Sequence, residues 1–169
     1  MKRIKLPIDD STISTLKCGD QVLISGPIFC GRDAVLPRVI SELENGNKSL
    51  QRELNGGLIF HTAVSVAGVG PTSSNKYEIE SSIVPLSKNG VRIHLGKGAL
   101  RKETIKGLKQ CNSFYCVIPP VTALLNDKTI KKEVVLFPEL GMEAFYRLEV
   151  VDYPAIVAAI RGESIYENK

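Results

Sequence analysis

Ala63-Val64-Ser65-Val66-Ala67-Gly68-Val69-Gly70-Pro71-Thr72-Ser73-Ser74-Asn75-Lys76 carries an uncharged run of small apolar residues into a glycine–proline turn, then into three hydroxyls and an amide. The run from Ala63 to Val69 reads as a strand, and Gly70-Pro71 lets the backbone turn sharply after it. Asn75 to Leu86 then has helical spacing, with Ile79, Ile83 and Leu86 aligned and Asn75 and Glu78 at capping-box separation. Pro85 is expected to bend or end that helix. A helix start offers unpaired N–H groups and partial positive charge, which suits a carboxylate or phosphate. Ordinary N-capping is the commoner use of such a Ser/Thr/Asn cluster, and the stretch alone does not separate the two.

The strand–turn–helix order recurs outward. Gln21–Ser25 reads as a strand closed by Gly26-Pro27. A helix follows from Asp33 to Glu44, capped by Asp33, with Leu36, Val39, Ile40 and Leu43 on one face and Pro37 tolerated in the first turn. Leu58–His61 reads as a strand. Downstream, Val91–Leu95 alternates like a strand, Lys102–Gln110 reads as a helix, and Phe114–Ile118 as a buried strand ended by Pro119-Pro120. Val121–Asn126 suits a small helix, and Glu133–Phe137, Phe145–Val151 and Ala155–Ile160 read as strands. There is no repeat, low-complexity tract or linker. The expectation is an α/β fold with a mixed sheet, in a single domain over residues 1–169.

Size and composition bound the function. A chain of 169 residues with 43% hydrophobic and 24% charged residues fits a soluble globular domain. The basic residues at Lys2, Arg3 and Lys5 have no apolar core behind them, so a secretory signal is not expected and a cytoplasmic location is. No apolar run spans a membrane. The net charge of +4 is scattered, without the basic–aromatic interleaving of a nucleic-acid surface, and suits a small anionic substrate instead. The four cysteines form no Cys-x-x-Cys pair, so buried free thiols are expected and no metal site on this chain.

Three glycine-punctuated places carry polar side chains. Arg32, after Cys30-Gly31, offers a planar fork for a carboxylate, or an ion pair with Asp33 or a Glu. In the opening stretch, Thr72 and Ser73 offer hydroxyls. Lys76 sits in a first helical turn where a cation opposes the helix dipole, so it either serves a site or points to solvent. Gly96-Lys97-Gly98 follows a strand and lacks P-loop spacing, but puts Lys97 where a cleft would open. His61 and His94 both fall on strands and read as core histidines, with reach into a cleft as the alternative for His61, which ends its strand.

Taken in order, these places resemble the β subunit, or C-terminal domain, of the iron–sulfur-dependent hydro-lyases, the class I fumarases and L-tartrate dehydratases. The resemblance runs from Leu6-Pro7 through Cys18-Gly19-Asp20, Arg32-Asp33-Ala34 with Arg38, Leu54-Asn55-Gly56, Gly70-Pro71-Thr72-Ser73-Ser74 and Gly96-Lys97-Gly98 to Glu139-Leu140-Gly141-Met142-Glu143-Ala144. It implies a mixed-sheet swivelling β/β/α domain that closes over a small 2-hydroxy dicarboxylate. It also implies a partner α subunit, in a hetero-oligomer, that binds the [4Fe–4S] cluster. Carried over residue by residue, it makes Thr72 the catalytic base, with Lys97 beside it, and Arg32, Ser73 and Lys76 substrate-binding. A threonine hydroxyl is a weak base unless cations lower its pKa, which Lys76 and Lys97 would do. The chain departs from the pattern at Lys76, where the family has Arg, at Ser73, where it has Thr, at Leu36, where a His is common, and at Pro119-Pro120, where it has a glycine pair. A divergent hydro-lyase and a non-catalytic subunit that keeps the fold both follow from such a pattern.

Overall fold

A computed structural model describes residues 1–65, 68–72, 76–118 and 128–166. The chain runs β1 (Lys2–Lys5), α1 (Asp10–Ser14), β2 (Gln21–Cys30), α2 (Leu36–Glu44), α3 (Lys48–Leu54) and β3 (Leu58–Phe60). It continues through β4 (Thr62–Ser65), β5 (Gly68–Thr72), α4 (Lys76–Lys88), β6 (Ile93–Gly96), α5 (Lys102–Gln110) and β7 (Phe114–Val117). It ends with β8 (Thr129–Leu136), a 3-10 segment (Pro138–Glu143), β9 (Phe145–Ile160) and β10 (Glu163–Ser164). The fold is mixed α/β with a mixed sheet.

β1, β2, β3, β6 and β7 are parallel, as crossovers through helices require. β9 is antiparallel and long enough to pair β2 along one edge and both β8 and β7 along the other. The pairings therefore close a ring, β2–β3–β6–β7–β9 and back to β2. Inside it lie Ile24, Ile28, Leu58, Phe60, Ile93, Leu95, Phe114, Leu148 and Val157, with Tyr153 edge-on to Phe60. A second apolar layer, Phe29, Ile59 and Phe145, packs against Val39 and Leu43 of α2, Leu50 and Leu54 of α3 and Leu86 of α4. Closure also protects most of the sheet from pairing at its edges.

Several boundaries differ from expectation for local reasons. β2 runs through Gly26-Pro27 to Cys30, because its ladder with β9 shifts at a bulge between Ile24 and Gly26, the kind of place where a strand tolerates proline. α2 starts at Leu36, not Asp33. Its cap position is Val35, without a side-chain cap, and Pro37 occupies the first turn, where its missing N–H costs nothing. The run Ala63–Val69 is a hairpin, not one strand, and Gly70-Pro71-Thr72 ends β5 instead of forming a turn. Pro85 does not end α4, which reaches Lys88. The C-terminal strands expected at Phe145–Val151 and Ala155–Ile160 are one continuous β9. Asn75, Pro119-Pro120 and the small helix expected at Val121–Asn126 lie outside the described residues. α1 and α3 had no counterpart in the reading of the sequence. Each is short, and each is capped by a side chain, Asp9 onto Thr12 N–H and Asn47 onto Leu50 N–H.

Glu80 ties α4 to α5. It is buried, and its Oε1 accepts from the backbone N–H of Arg101 at 2.8 Å and from Thr104 Oγ1 at 2.7 Å. The N-cap position of α5, Arg101, has no side-chain cap of its own, so the neighbouring helix supplies the acceptor. Glu80→Ala would leave these donors unpaired and is expected to cost about 1–3 kcal/mol in urea unfolding, with Glu80→Gln losing less because it keeps one acceptor oxygen.

Candidate functional site

The ladder register brings the C-terminal ends of the parallel strands level. Cys30 pairs Phe60, Phe60 pairs Leu95, and Leu95 pairs Cys116. Two bonds continue the ladder past the strand ends: Gly31 N–H to Phe60 O at 3.1 Å and His61 N–H to Leu95 O at 3.0 Å. The chain leaves this edge at Arg32, His61 and Lys97. In α/β sheets this is the edge where ligands bind, because loops there can converge while the strands hold them. The β4–β5 hairpin folds back onto the same edge and sets Thr72 opposite Thr62, one residue after His61. α4 begins four residues later, at Lys76.

Arg32 is anchored by an ion pair. Its guanidinium donates to Glu143 through Nε at 3.1 Å and Nη2 at 2.5 Å, and both side chains are partly buried. The Glu143 carboxylate holds the guanidinium pKa above its ordinary value. Glu143 closes the 3-10 segment before β9, and Arg38 at 4.0 Å from Glu139 holds the same segment. Gly31 is required just before Arg32: a Cβ there would stand 2.7 Å from Val35 Cγ1 and 3.0 Å from Leu36 Cδ2. The carboxylate that this fork faces is the chain's own, the ion pair with a Glu that the sequence offered beside substrate binding. Glu143 was not singled out from the sequence, since a partner 111 positions away leaves no local pattern.

The other expected residues are placed less fully. Lys97 is exposed at the bend after β6. Thr72 and Lys76 are described by their backbone only, and Ser73 lies outside the described residues. The structure thus gathers positions 32, 72, 76 and 97 at one end of the sheet by topology, and defines side-chain contacts for Arg32.

Behind this edge lies a pair of buried histidines. His61 Nε2 is 3.1 Å from His94 Nδ1, and His94 Nε2 is 2.9 Å from Ser87 Oγ of α4. His61 Nδ1 is buried without a hydrogen-bond partner. Both rings were expected in the core, but not bonded to each other. Burial pushes the His61 pKa down to about 3, and burial followed by the neighbouring ring holds His94 well below its ordinary value. An unfolded imidazole gains its proton near pH 6.5, so below that pH the unfolded chain binds more protons and stability falls on acidification. Each ring is expected to contribute a loss of about 2 kcal/mol between about pH 7 and pH 5. Thermal melts across this range check it, and a His61→Phe/His94→Leu double variant should have the flatter profile.

The thiols of the described part do not fit an iron–sulfur cluster. Cys30 and Cys116 are buried among apolar core side chains, where burial pushes both thiols up, and among the described residues neither stands in a group of ligands. Cys18 and Cys111 are half-buried and in no disulfide, and Cys18 Sγ donates to Ala158 O at 3.8 Å. Among the described residues no group of three His, Cys, Asp or Glu is arranged to hold a metal ion, and no helix is long and apolar enough to cross a membrane.

Comparison with known proteins matches residues 1–169 to the family described as Fumarase C-terminus. A candidate L(+)-tartrate dehydratase subunit beta of Methanocaldococcus jannaschii is 29% identical over 171 residues, covering 92% of this chain and 86% of that protein. Fumarate hydratase 2 of Leishmania major is 28% identical over 179 residues, covering 98% of this chain and 31% of that protein. The anaerobic class I fumarate hydratase of Escherichia coli is 29% identical over 166 residues, covering 93% of this chain and 29% of that protein. The chain therefore spans about a third of the fumarate hydratases it matches, and most of the tartrate dehydratase subunit.

Proposed function

The chain belongs to the Fumarase C-terminus family, and on that premise we propose that it is the β part of a two-part hydro-lyase that reversibly removes water from a small 2-hydroxy dicarboxylate. It forms one domain over residues 1–169 and works in the cytoplasm, in a hetero-oligomer with an α subunit. The observation that carries this reading is the gathering of Arg32, Thr72 and Lys97 at the C-terminal edge of the parallel strands, in a family whose named relatives are fumarate hydratases and a tartrate dehydratase subunit.

Dehydration must break a C–H bond beside one carboxylate and a C–O bond on the neighbouring carbon. Thr72 first loses its hydroxyl proton to solvent, the positive charge of Lys97 and Lys76 stabilising the alkoxide, and the alkoxide then takes the proton from carbon and becomes the hydroxyl again. Arg32, whose Nε and Nη2 are held by Glu143, offers Nη1 to a carboxylate of the substrate, and Ser73 adds a hydroxyl donor. A [4Fe–4S] cluster, if carried by the α subunit, would supply Lewis acidity for the departing hydroxyl. Lys76 in place of the family's arginine gives up bidentate geometry, which points to a carboxylate set differently from those of fumarate.

One observation favours a second reading, a fold-retaining subunit without chemistry: the Arg32 fork is filled by Glu143. A single experiment separates the two. The chain is co-expressed with the hydro-lyase α subunit of its own genome, purified without oxygen, loaded with iron and sulfide, and assayed on fumarate, mesaconate and L-tartrate. Turnover of any of these supports the enzyme. A stable, cluster-loaded complex that turns over none supports the non-catalytic subunit.

A further inference from the structure

We propose that His61 is a ligand-binding residue of this site: its imidazole, held by His94 and Ser87, donates from Nδ1 to an oxygen of the bound hydroxy-dicarboxylate, directly or through one water. The inference rests on the hydro-lyase reading for the identity of the ligand, and on the following geometry for the role of the residue.

The three groups form a continuous chain, Ser87 Oγ to His94 Nε2 at 2.9 Å and His94 Nδ1 to His61 Nε2 at 3.1 Å. It runs toward the candidate site. Ser87 lies in the last turn of α4 and His94 is the second residue of β6. Ile59 is the ladder partner of His94, so His61 stands two residues farther along, roughly 6–7 Å closer to the edge where Arg32 and Lys97 leave the sheet. The ring tip, Nε2, reaches back to His94. Nδ1, closer than Nε2 to the main chain, stays at the level of residue 61, which directly precedes the hairpin that pairs Thr62 with Thr72.

Neutral imidazoles transmit direction along such a chain. When the Ser87 hydroxyl donates to His94 Nε2, His94 must carry its proton on Nδ1 and donate to His61 Nε2, which leaves the His61 proton on Nδ1. The reverse order leaves Nδ1 a bare acceptor. A carboxylate oxygen, which only accepts, selects the first order, and the low pKa values that burial imposes on both rings keep the pair neutral in either. The end of the chain is the one ring nitrogen of the pair without a partner, in a residue with no exposed surface. Buried polar atoms are nearly always paired, and a native exception calls for a ligand or a water that completes it.

Two substitutions separate ligand binding from support of the fold. The amide of glutamine overlays the Nε2 side of an imidazole, so His61→Gln keeps the bond to His94 and loses the Nδ1 end. The amide of asparagine overlays the Nδ1 side, so His61→Asn does the opposite. In the assembled enzyme with its best substrate, His61→Gln should raise KM about tenfold or more while its melting temperature stays near that of the parent. His61→Asn should melt lower yet show the smaller change in KM. The reverse order, with His61→Gln at the parental KM and His61→Asn impaired, would overturn the inference. A second measurement needs no variant. The chain has two histidines, so 15N-histidine labelling reports these rings alone. The Nδ1 resonance of His61 should move on saturation with substrate, and a stationary resonance would overturn the proposal. If the parental complex turns over no dicarboxylate, the hydro-lyase reading has failed and this inference falls with it. If it does turn over and His61→Gln matches it, only this inference fails.

Discussion

Replacing Thr72 by alanine is expected to lower turnover of the assembled enzyme about 10²–10⁴-fold, the usual contribution of a positioned proton-transfer group. The loss should fall on kcat, with KM close to the parental value, because the base acts as the C–H bond breaks and contributes little to holding the ground state. Thr72 ends β5 opposite Thr62, so a substitution there must respect a β-ladder. Valine is the sharper control. It keeps the branched shape and strand preference of threonine and removes only the hydroxyl, so Thr72→Val should lose as much as Thr72→Ala. Thr72→Ser keeps the hydroxyl and should retain most of the activity. A Thr72→Val enzyme with parental kcat would remove Thr72 from the chemistry.

Phe145→Ala is expected to destabilise the chain by about 3–5 kcal/mol in chemical denaturation, a large part of the stability of a domain this size. Phe145 is fully buried and lies over Phe29 with ring centroids 5.5 Å apart and an interplanar angle of 14°. Its loss would leave a cavity between the sheet and α2, where Val35 and Leu36 also pack. The effect should reach the site as well. Phe145 opens β9 two residues after Glu143, and it lies behind Gly31, where a Cβ would come within 3.3 Å of its ring. Truncation therefore loosens both ends of the Arg32–Glu143 pair. Phe145→Leu, which refills part of the volume, should lose markedly less stability and hold Arg32 better. Equal losses for Ala and Leu would mean that the stacked ring contributes something beyond volume.

Local patterns in the sequence foretold the elements with strong periodicity and said little about long-range partners. Lys102–Gln110 is helical between the bounds read from its spacing, and Phe114–Val117 is a buried strand as its apolar run suggested. The helix expected from Asp33 begins three residues later because Pro37, not Asp33, fixes its first turn. β2 passes Gly26-Pro27 because β9 follows it across a bulge, and β9 runs past Asp152, at φ 50°, and Pro154 for the same reason: each strand is held by the other. No spacing rule reveals such mutual support. At the site, the glycines and the residues beside them were legible because tight turns and close packing demand them, as at Gly31. Glu143 and the His61–His94 bond were not, since each joins residues brought together only when the ring of strands closes.

If this chain completes an active site whose iron–sulfur half lies on another chain, turnover must depend on both. The purified chain is titrated into a fixed amount of cluster-loaded α subunit, with dicarboxylate turnover followed at each addition. The rate should start near zero, climb with added chain and level off at a fixed ratio of the two. A rate that is already complete with the α subunit alone, or that stays at zero once the complex has formed, would contradict it.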